Sequence, residues 1–107
     1  MNYSSFICKI VTNPKQILFE NNISLSEFSA QFPRVRNRDC IDIFNVIVWG
    51  KLSYDIVESY KINDYIIIEG YISLKNINSN YALDSNYKYK KQVEITAFKI
   101  YPFSSNI

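Results

Sequence analysis

Apolar and polar side chains alternate along much of this chain, and a repeat of two residues is typical of β-strands. The first such run, Phe6 to Val11, precedes a bend marked by Asn13-Pro14, and three of its apolar side chains share one face. These are Phe6, Cys8 and Ile10. We expect Gln16 to Phe19 to continue this strand beyond the bend.

A second strand is predicted from Ile23 to Phe32, and its apolar positions change parity along the way. The change indicates a β-bulge near Ser26 and Glu27, a device that bends a strand around a small barrel. Pro33 to Arg38 then forms a short basic loop.

The third strand, Ile41 to Trp49, alternates strictly and carries apolar residues on both faces. One face holds Phe44, Val46 and Val48, and the other holds Ile43, Asn45, Ile47 and Trp49. Only one of these faces can point into a barrel, so the apolar groups on the other require a separate explanation.

The rest of the chain predicts one short helix and two further strands. In Lys51 to Tyr60, apolar residues recur every four positions, which is typical of a helix with one apolar stripe. The turn that follows contains Asn63, which tolerates the left-handed conformation. The predicted strands are Tyr65 to Lys75, with Ile66, Ile68, Ile72 and Leu74 facing inward, and Lys91 to Tyr101, with Val93, Ile95 and Ala97 alternating with polar residues.

Five strands with one helix between the third and the fourth predict an all-β protein, a five-stranded OB-fold Greek-key barrel. The length of 107 residues corresponds to one domain, so residues 1–107 are assigned to it. A small all-β sandwich is the competing architecture, and the position of the helix argues against it.

The composition excludes most enzyme classes. Histidine is absent, which removes the usual catalytic base and most zinc sites, and two glycines are too few for a phosphate-binding loop. We expect no catalytic residue, no metal, no cofactor and no small-molecule substrate. The near pairs of carboxylates could in principle hold Mg²⁺, but we interpret the second pair as solvated charge on a helix. They are Asp39 with Asp42 and Asp55 with Glu58.

The sequence also contains no run of 18 apolar residues and no signal-peptide pattern, so we expect neither a membrane span nor export. Cys8 and Cys40 are far apart and form no CxxC pair, which indicates buried free thiols in a reducing compartment.

Residues suited to single-stranded nucleic acid occur in several segments. Such binding requires aromatic rings on which bases stack and a basic path for the phosphates. The net charge of +2 is uninformative, so the basic path must be local. The candidate residues are Trp49, Ile43, Asn45, Tyr65, Tyr71, Arg34, Arg36, Arg38, Lys75, Tyr87, Lys88, Tyr89 and Lys90.

Each group of candidates has a structural alternative. The loop arginines could serve solubility, and Tyr87 and Tyr89 could be ordinary strand aromatics. Trp49 could lie in the core, although it shares a face with Asn45, which a barrel interior would not tolerate unpaired. Tyr65 and Tyr71 could form a subunit interface instead.

The segment Asn45 to Leu74 resembles the central block of the single-stranded DNA-binding protein family. In that family a strand ending in aromatic-Gly-Lys-Leu leads into a short helix, a turn of the Lys-Gly-Asp kind and a strand containing Glu-Gly. Here the corresponding residues are Trp49-Gly50-Lys51-Leu52, Asn63-Asp64 and Glu69-Gly70. Ile7 to Phe19 is also similar to the family's first strand.

The resemblance implies an OB-fold that oligomerises, commonly as a homotetramer, and protects single strands in DNA replication, recombination and repair. It implies base stacking by Trp49, whereas Ile43 stands near where many members carry a second stacking aromatic. Tyr81 could substitute for a tryptophan that some members place around Ile77. Because the chain stops at Ile107 without an acidic tip, we do not expect partner recruitment through such a tail.

We therefore predict sequence-tolerant binding of single-stranded DNA by a homo-oligomer, a dimer or a tetramer. Short tailless family members occur in cyanobacteria and in plastid genomes, so the expected location is a plastid if the chain is organelle-encoded and otherwise the bacterial cytoplasm. A primosomal-type OB-fold module that binds replication proteins as well as DNA is the main alternative. RNA binding and an enzyme remain further alternatives.

Overall fold

The computed structural model describes residues 3–33, 43–77 and 90–103. These residues form six strands and one helix. In chain order they are β1 (Tyr3–Ile10), β2 (Lys15–Leu18), β3 (Ser24–Gln31), β4 (Ile43–Trp49), α1 (Lys51–Ser59), β5 (Tyr65–Ile77) and β6 (Lys90–Pro102).

The strands form one sheet in the order β1-β5-β6-β4-β3-β2, and β1 also pairs with β3, which closes the sheet into a barrel. β4 runs parallel to β6, and the other pairs are antiparallel. β1 and β2 lie one after the other along β3, so they are the two halves of one bent strand, as expected. With these halves counted as one strand, the topology is the predicted five-stranded OB-fold with its helix before the fourth strand.

The core is formed by inward side chains from every long strand and from the helix. Its buried members are Cys8, Ile10, Phe28, Ala30, Phe44, Val46, Val48, Ile56, Ile66, Ile68, Ile95 and Ala97. Cys8 is a free cysteine, and its burial raises the pKa of its thiol to about 12. Asn63 takes the left-handed conformation, with φ of 77°, and its N–H donates to the carbonyl of Ile10 at 2.8 Å.

The predicted bulge near Ser26 and Glu27 is wrong. β3 pairs with β4 in unbroken register from Leu25–Trp49 to Gln31–Ile43. The apolar parity changes because the buried residues Ser24 and Ser26 occupy inward positions that an apolar residue would usually take. The register shift lies between β5 and β6, where Glu69 pairs with Lys99 and Gly70 with Ala97, so that Phe98 is the extra residue.

The prediction that Ile72 and Leu74 face a closed core is also wrong, because their side chains are 47% and 63% exposed. The pairing of β1 with β5 ends at Tyr3–Tyr71. Beyond that point β6 is the one strand paired with β5 among the described residues, and the barrel no longer covers this part of the hairpin.

Candidate nucleic-acid interface

The outer side of β4 carries three predicted residues, Ile43, Asn45 and Trp49, as the alternation required. Phe44 and its inward neighbours fill the core from the opposite side. The indole of Trp49 is 51% exposed, so Trp49 is not a core tryptophan.

Residues of β3 extend this surface, which we call the β3–β4 face. Cross-strand pairs place Leu25 beside Trp49, Ser29 beside Asn45 and Gln31 beside Ile43. Leu25 is itself buried, between the strand neighbours Ile17 and Trp49. The face therefore has an apolar end around Trp49 and a polar end around Asn45. Its outward residues are Leu25, Glu27, Ser29, Gln31, Ile43, Asn45, Ile47 and Trp49.

A groove of about 300 Å³ crosses the polar end of the face. Its lining residues are Thr12, Asn13, Lys15, Glu27, Phe28, Ser29 and Asn45. The rim is held by two hydrogen bonds of 2.8 Å, in which Ser29 N–H donates to Thr12 Oγ1 and Ile62 N–H donates to Asn13 Oδ1. The Lys15 ammonium and the side-chain amide of Asn45 are suited to a phosphate or to the polar edge of a base.

Phe19 is part of the apolar end and was not among the residues predicted from the sequence. Its ring stacks on Trp49 with the ring centroids 6.2 Å apart and the planes 22° apart. Phe19 was expected only to end the first bent strand. Its proximity to a residue 30 positions later depends on the β2–β3 and β3–β4 registers, which no local pattern reveals.

Two buried serines fix the turn that follows Trp49. Ser24 Oγ lies 2.6 Å from Ser53 Oγ and donates to the carbonyl of Gly50 at 3.0 Å, while Gly50 N–H donates to the carbonyl of Ser24 at 2.9 Å. Gly50 has φ of 75°, a left-handed value that favours glycine. These contacts hold the end of β4 against β3 and so restrict where Trp49 can lie.

Tyr65 and Tyr71 are exposed on β5, outside the β3–β4 face. Tyr71 packs against Tyr3 and Phe98, with ring centroids 6.5 and 5.3 Å away. It is also in register with Ile47 through Thr96, since both pair with that residue. Tyr71 is thus about two strand spacings, roughly 10 Å, from the β3–β4 face.

We call the neighbouring outer surface the β1–β5–β6 face. Its exposed apolar and aromatic residues are Tyr3, Ile7, Tyr65, Tyr71, Phe98 and Tyr101. The charged residue Glu69 interrupts this face, and its Oε2 accepts a hydrogen bond of 3.4 Å from the Tyr101 hydroxyl. Tyr65 and Tyr71 are thus accessible on this face, and both interpretations of them, as binding residues and as interface residues, stay predictions.

The other predicted residues are only partly described. Lys75 lies in β5 and Lys90 begins β6, on the hairpin that extends past the barrel. The remaining candidates lie outside the described residues: Arg34, Arg36, Arg38, Tyr87, Lys88 and Tyr89.

The described residues contain no group of three or more side chains that could hold a metal ion, and Asp55 and Glu58 are exposed on α1. No helix there is long and apolar enough to cross a membrane.

Three solved structures have the same fold. The chain superimposes on the SSB domain of a Synechococcus protein with a TM-score of 0.70 and 21% identity, covering 94% of this chain and 93% of that one. A small single-stranded DNA-binding protein from Streptomyces coelicolor gives a TM-score of 0.77 at 14% identity, with coverages of 95% and 94%. The second single-stranded DNA-binding protein of Mycobacterium smegmatis gives 0.71 at 17% identity, with coverages of 96% and 87%.

Sequence comparison supplies the family. No protein-family model matches the chain. It is 29% identical over 101 residues to the "Thylakoid-associated single-stranded DNA-binding protein slr1034" of Synechocystis sp., covering 94% of this chain and 74% of that protein. It is 47% identical over 105 residues to the "Putative single-stranded DNA-binding protein ycf41" of Trieres chinensis, covering 96% of this chain and 89% of that protein. Identity at that level over nearly the whole length shows that the chain belongs to the family of single-stranded DNA-binding proteins.

Proposed function

We propose that this protein binds single-stranded DNA through the β3–β4 face, without sequence preference and without catalysing a reaction. The observation that carries the proposal is the half-exposed indole of Trp49 at the apolar end of that face. Every base has a π-face, so an exposed ring binds unpaired bases of any sequence. The names of the two relatives give the same ligand.

DNA phosphates require positively charged side chains, and the described part of the β3–β4 face carries no excess of positive charge. Lys15 lies beside Glu27 as a cross-strand pair, so the two charges offset each other. We assign the backbone contacts to the predicted basic residues, Arg34, Arg36, Arg38, Lys75, Lys88 and Lys90, with Tyr87 and Tyr89 as further rings. Asn45 and the groove beside it would contact the sugar-phosphate backbone or a base edge.

The cellular role follows from sequence-tolerant binding. A protein that covers unpaired strands protects them wherever DNA is opened, which includes replication, recombination and repair. One relative is named as thylakoid-associated and comes from a cyanobacterium, which supports a plastid or a bacterial cytoplasm as the place of action.

The protein also forms a homo-oligomer in this proposal. The β1–β5–β6 face exposes six apolar or aromatic side chains on three adjacent strands, more than a small barrel usually leaves in water. A second copy would cover this face and leave the β3–β4 face open. Tyr65 and Tyr71, on the middle strand of that face, would then lie in the subunit interface, the alternative role given for them above.

The test is a titration of fluorescent dT oligomers, with duplex DNA and an RNA of equal length as competitors. We expect strong preference for the single strand over the duplex, because a duplex withholds its bases from stacking. Binding should weaken with salt, with a log-log slope of roughly −0.7 for each phosphate neutralised. Equal affinity for single strand and duplex would contradict the proposal. Binding that does not change with salt would show that the basic residues do not contact the phosphates.

A further inference from the structure

We infer that Phe19 is a second base-stacking residue, which together with Trp49 forms a two-ring site at the β2–β3 turn. The inference rests on the proposed binding of single-stranded DNA and specifies where part of the strand runs. It concerns a residue outside the central block, at the end of the segment Ile7 to Phe19 that is similar to the family's first strand.

The exposure of the two rings carries the first step. Phe19 is 47% exposed although it packs against Trp49, which is itself about half exposed. Another apolar side chain of the same turn, Ile23, is exposed as well. A hairpin turn is ordinarily polar, so an apolar turn beside an exposed indole indicates a surface that binds an apolar or aromatic ligand.

The second step concerns the geometry of the pair. The planes are within 22° of parallel, so bases that stacked on the two rings would also lie nearly parallel to each other. Neighbouring bases in a single strand can adopt similar orientations by stacking. A near-parallel pair of rings therefore offers contacts to more than one base, which a single indole does not.

The third step is that both rings are held in place before any ligand arrives. Ser24 binds Gly50, the residue after Trp49, and also pairs with Leu18, the residue before Phe19. The turn is closed by a bond of 2.9 Å from Phe19 N–H to the carbonyl of Ile23, with Asn22 in the left-handed conformation. A preorganised pair loses less conformational entropy on binding.

The experiment compares four variants in dT titrations: Phe19→Leu, Phe19→Tyr, Leu18→Ala and Trp49→Ala. Leu keeps the apolar packing on Trp49 but has no π-face, whereas Tyr keeps the ring. We expect Phe19→Leu to weaken binding by about 5-fold to 150-fold, the range for loss of one stacked base. Phe19→Tyr should bind like the unmodified protein. Leu18→Ala is the matched control and should have little effect, since Leu18 is 66% exposed at the end of β2 but pairs with the inward Ser24, on the opposite side of the strand from the β3–β4 face.

The outcomes separate this inference from the function on which it rests. If the unmodified protein fails to bind dT, the proposed function is wrong. If the protein binds and Trp49→Ala weakens binding, but Phe19→Leu binds normally, then Phe19 only packs against Trp49 and the inference is overturned. Thermal unfolding of each variant shows whether a loss of binding reflects a loss of fold. If Phe19→Leu does not fold, Phe19→Met, which also keeps apolar packing without a π-face, is compared with Phe19→Tyr instead.

Discussion

Trp49 and Phe44 lie on opposite sides of the same strand, and their substitutions should have opposite effects. Trp49→Ala removes an exposed ring, so we expect a loss of about 1–3 kcal/mol in binding of oligo-dT and little change in thermal stability. Phe44→Ala removes a buried ring and should cost roughly 3–5 kcal/mol of unfolding free energy. Calorimetry and dT titration of both variants measure the two effects.

Fluorescence provides an independent measurement, because Trp49 is the one tryptophan in the sequence. Oligo-dT should quench its emission strongly if bases stack on the indole. Unchanged emission on saturation with DNA, or a Trp49→Ala variant that does not fold, would place the binding surface elsewhere than on the outer side of β4.

Single residues were predictable from the sequence where alternation alone sets their direction. The strict alternation of β4 was enough to place Trp49 and Asn45 outside, because a strand has two faces and Phe44 and Val46 occupy the inner one. Phe19 was not predictable, because its stacking on Trp49 depends on three strands being in register.

At the scale of elements, the sequence predicted where strands and the helix occur better than where a β-bulge lies. The four-residue spacing of Leu52 and Ile56 is an unambiguous helical signal, and α1 ends at Ser59, one residue before its predicted end. The β-bulge was misplaced because Ser24 and Ser26 are polar residues at buried positions, whereas a local pattern assigns polar residues to the outer face. Ser24 is buried with its hydroxyl 2.6 Å from that of Ser53, 29 residues later, whereas the hydroxyl of Ser26 is buried without a hydrogen-bond partner among the described residues.

The crossing of β5 and β6 at the register shift depends on Gly70. A Cβ at this position would lie 2.4 Å from the carbonyl oxygen of Thr96 and 2.9 Å from Cα of Ala97, both in the backbone of β6. Backbone atoms cannot rotate away as a flexible side chain can, so Gly70→Ala must separate the two strands.

We expect Gly70→Ala to lower the unfolding free energy by about 1–3 kcal/mol, as overpacking of a core usually does. Urea unfolding measures the change. Ser73→Ala is the matched control, because Ser73 is exposed three residues later in the same strand and its substitution should stay within about 0.5 kcal/mol. A Gly70→Ala variant as stable as the control would mean that β5 and β6 lie farther apart than described.

For the molecule as a whole, barrel closure separates two outer surfaces with different compositions. The β3–β4 face combines apolar rings with a polar groove, whereas the β1–β5–β6 face is mainly apolar and aromatic. The sequence predicted the outward residues of β4 and also Tyr65 and Tyr71, but it could not assign them to separate surfaces. That assignment requires the strand order, in which β6 lies between β4 and β5.

If a second copy covers the β1–β5–β6 face, a charge placed there should dissociate the oligomer without unfolding the barrel. Ile7 lies on that face in β1, opposite Ile67, and is 40% exposed in the single chain. A glutamate in its place would be buried unpaired on association, which is costly, but would remain solvated in the free barrel. We therefore expect Ile7→Glu to shift the protein toward the mass of one chain.

Light scattering at micromolar concentration measures this shift, and Ile62→Glu is the matched control. Ile62 is the same residue type with a similar exposure of 43%, but it lies in the turn before β5, where its backbone N–H donates to Asn13 Oδ1. Ile62→Glu should keep the mass of the unmodified oligomer. Because Trp49 lies on the other surface, Ile7→Glu should still bind short dT oligomers and still show the quenching of Trp49. An unmodified protein with the mass of one chain, or equal dissociation by both glutamates, would contradict an interface on the β1–β5–β6 face.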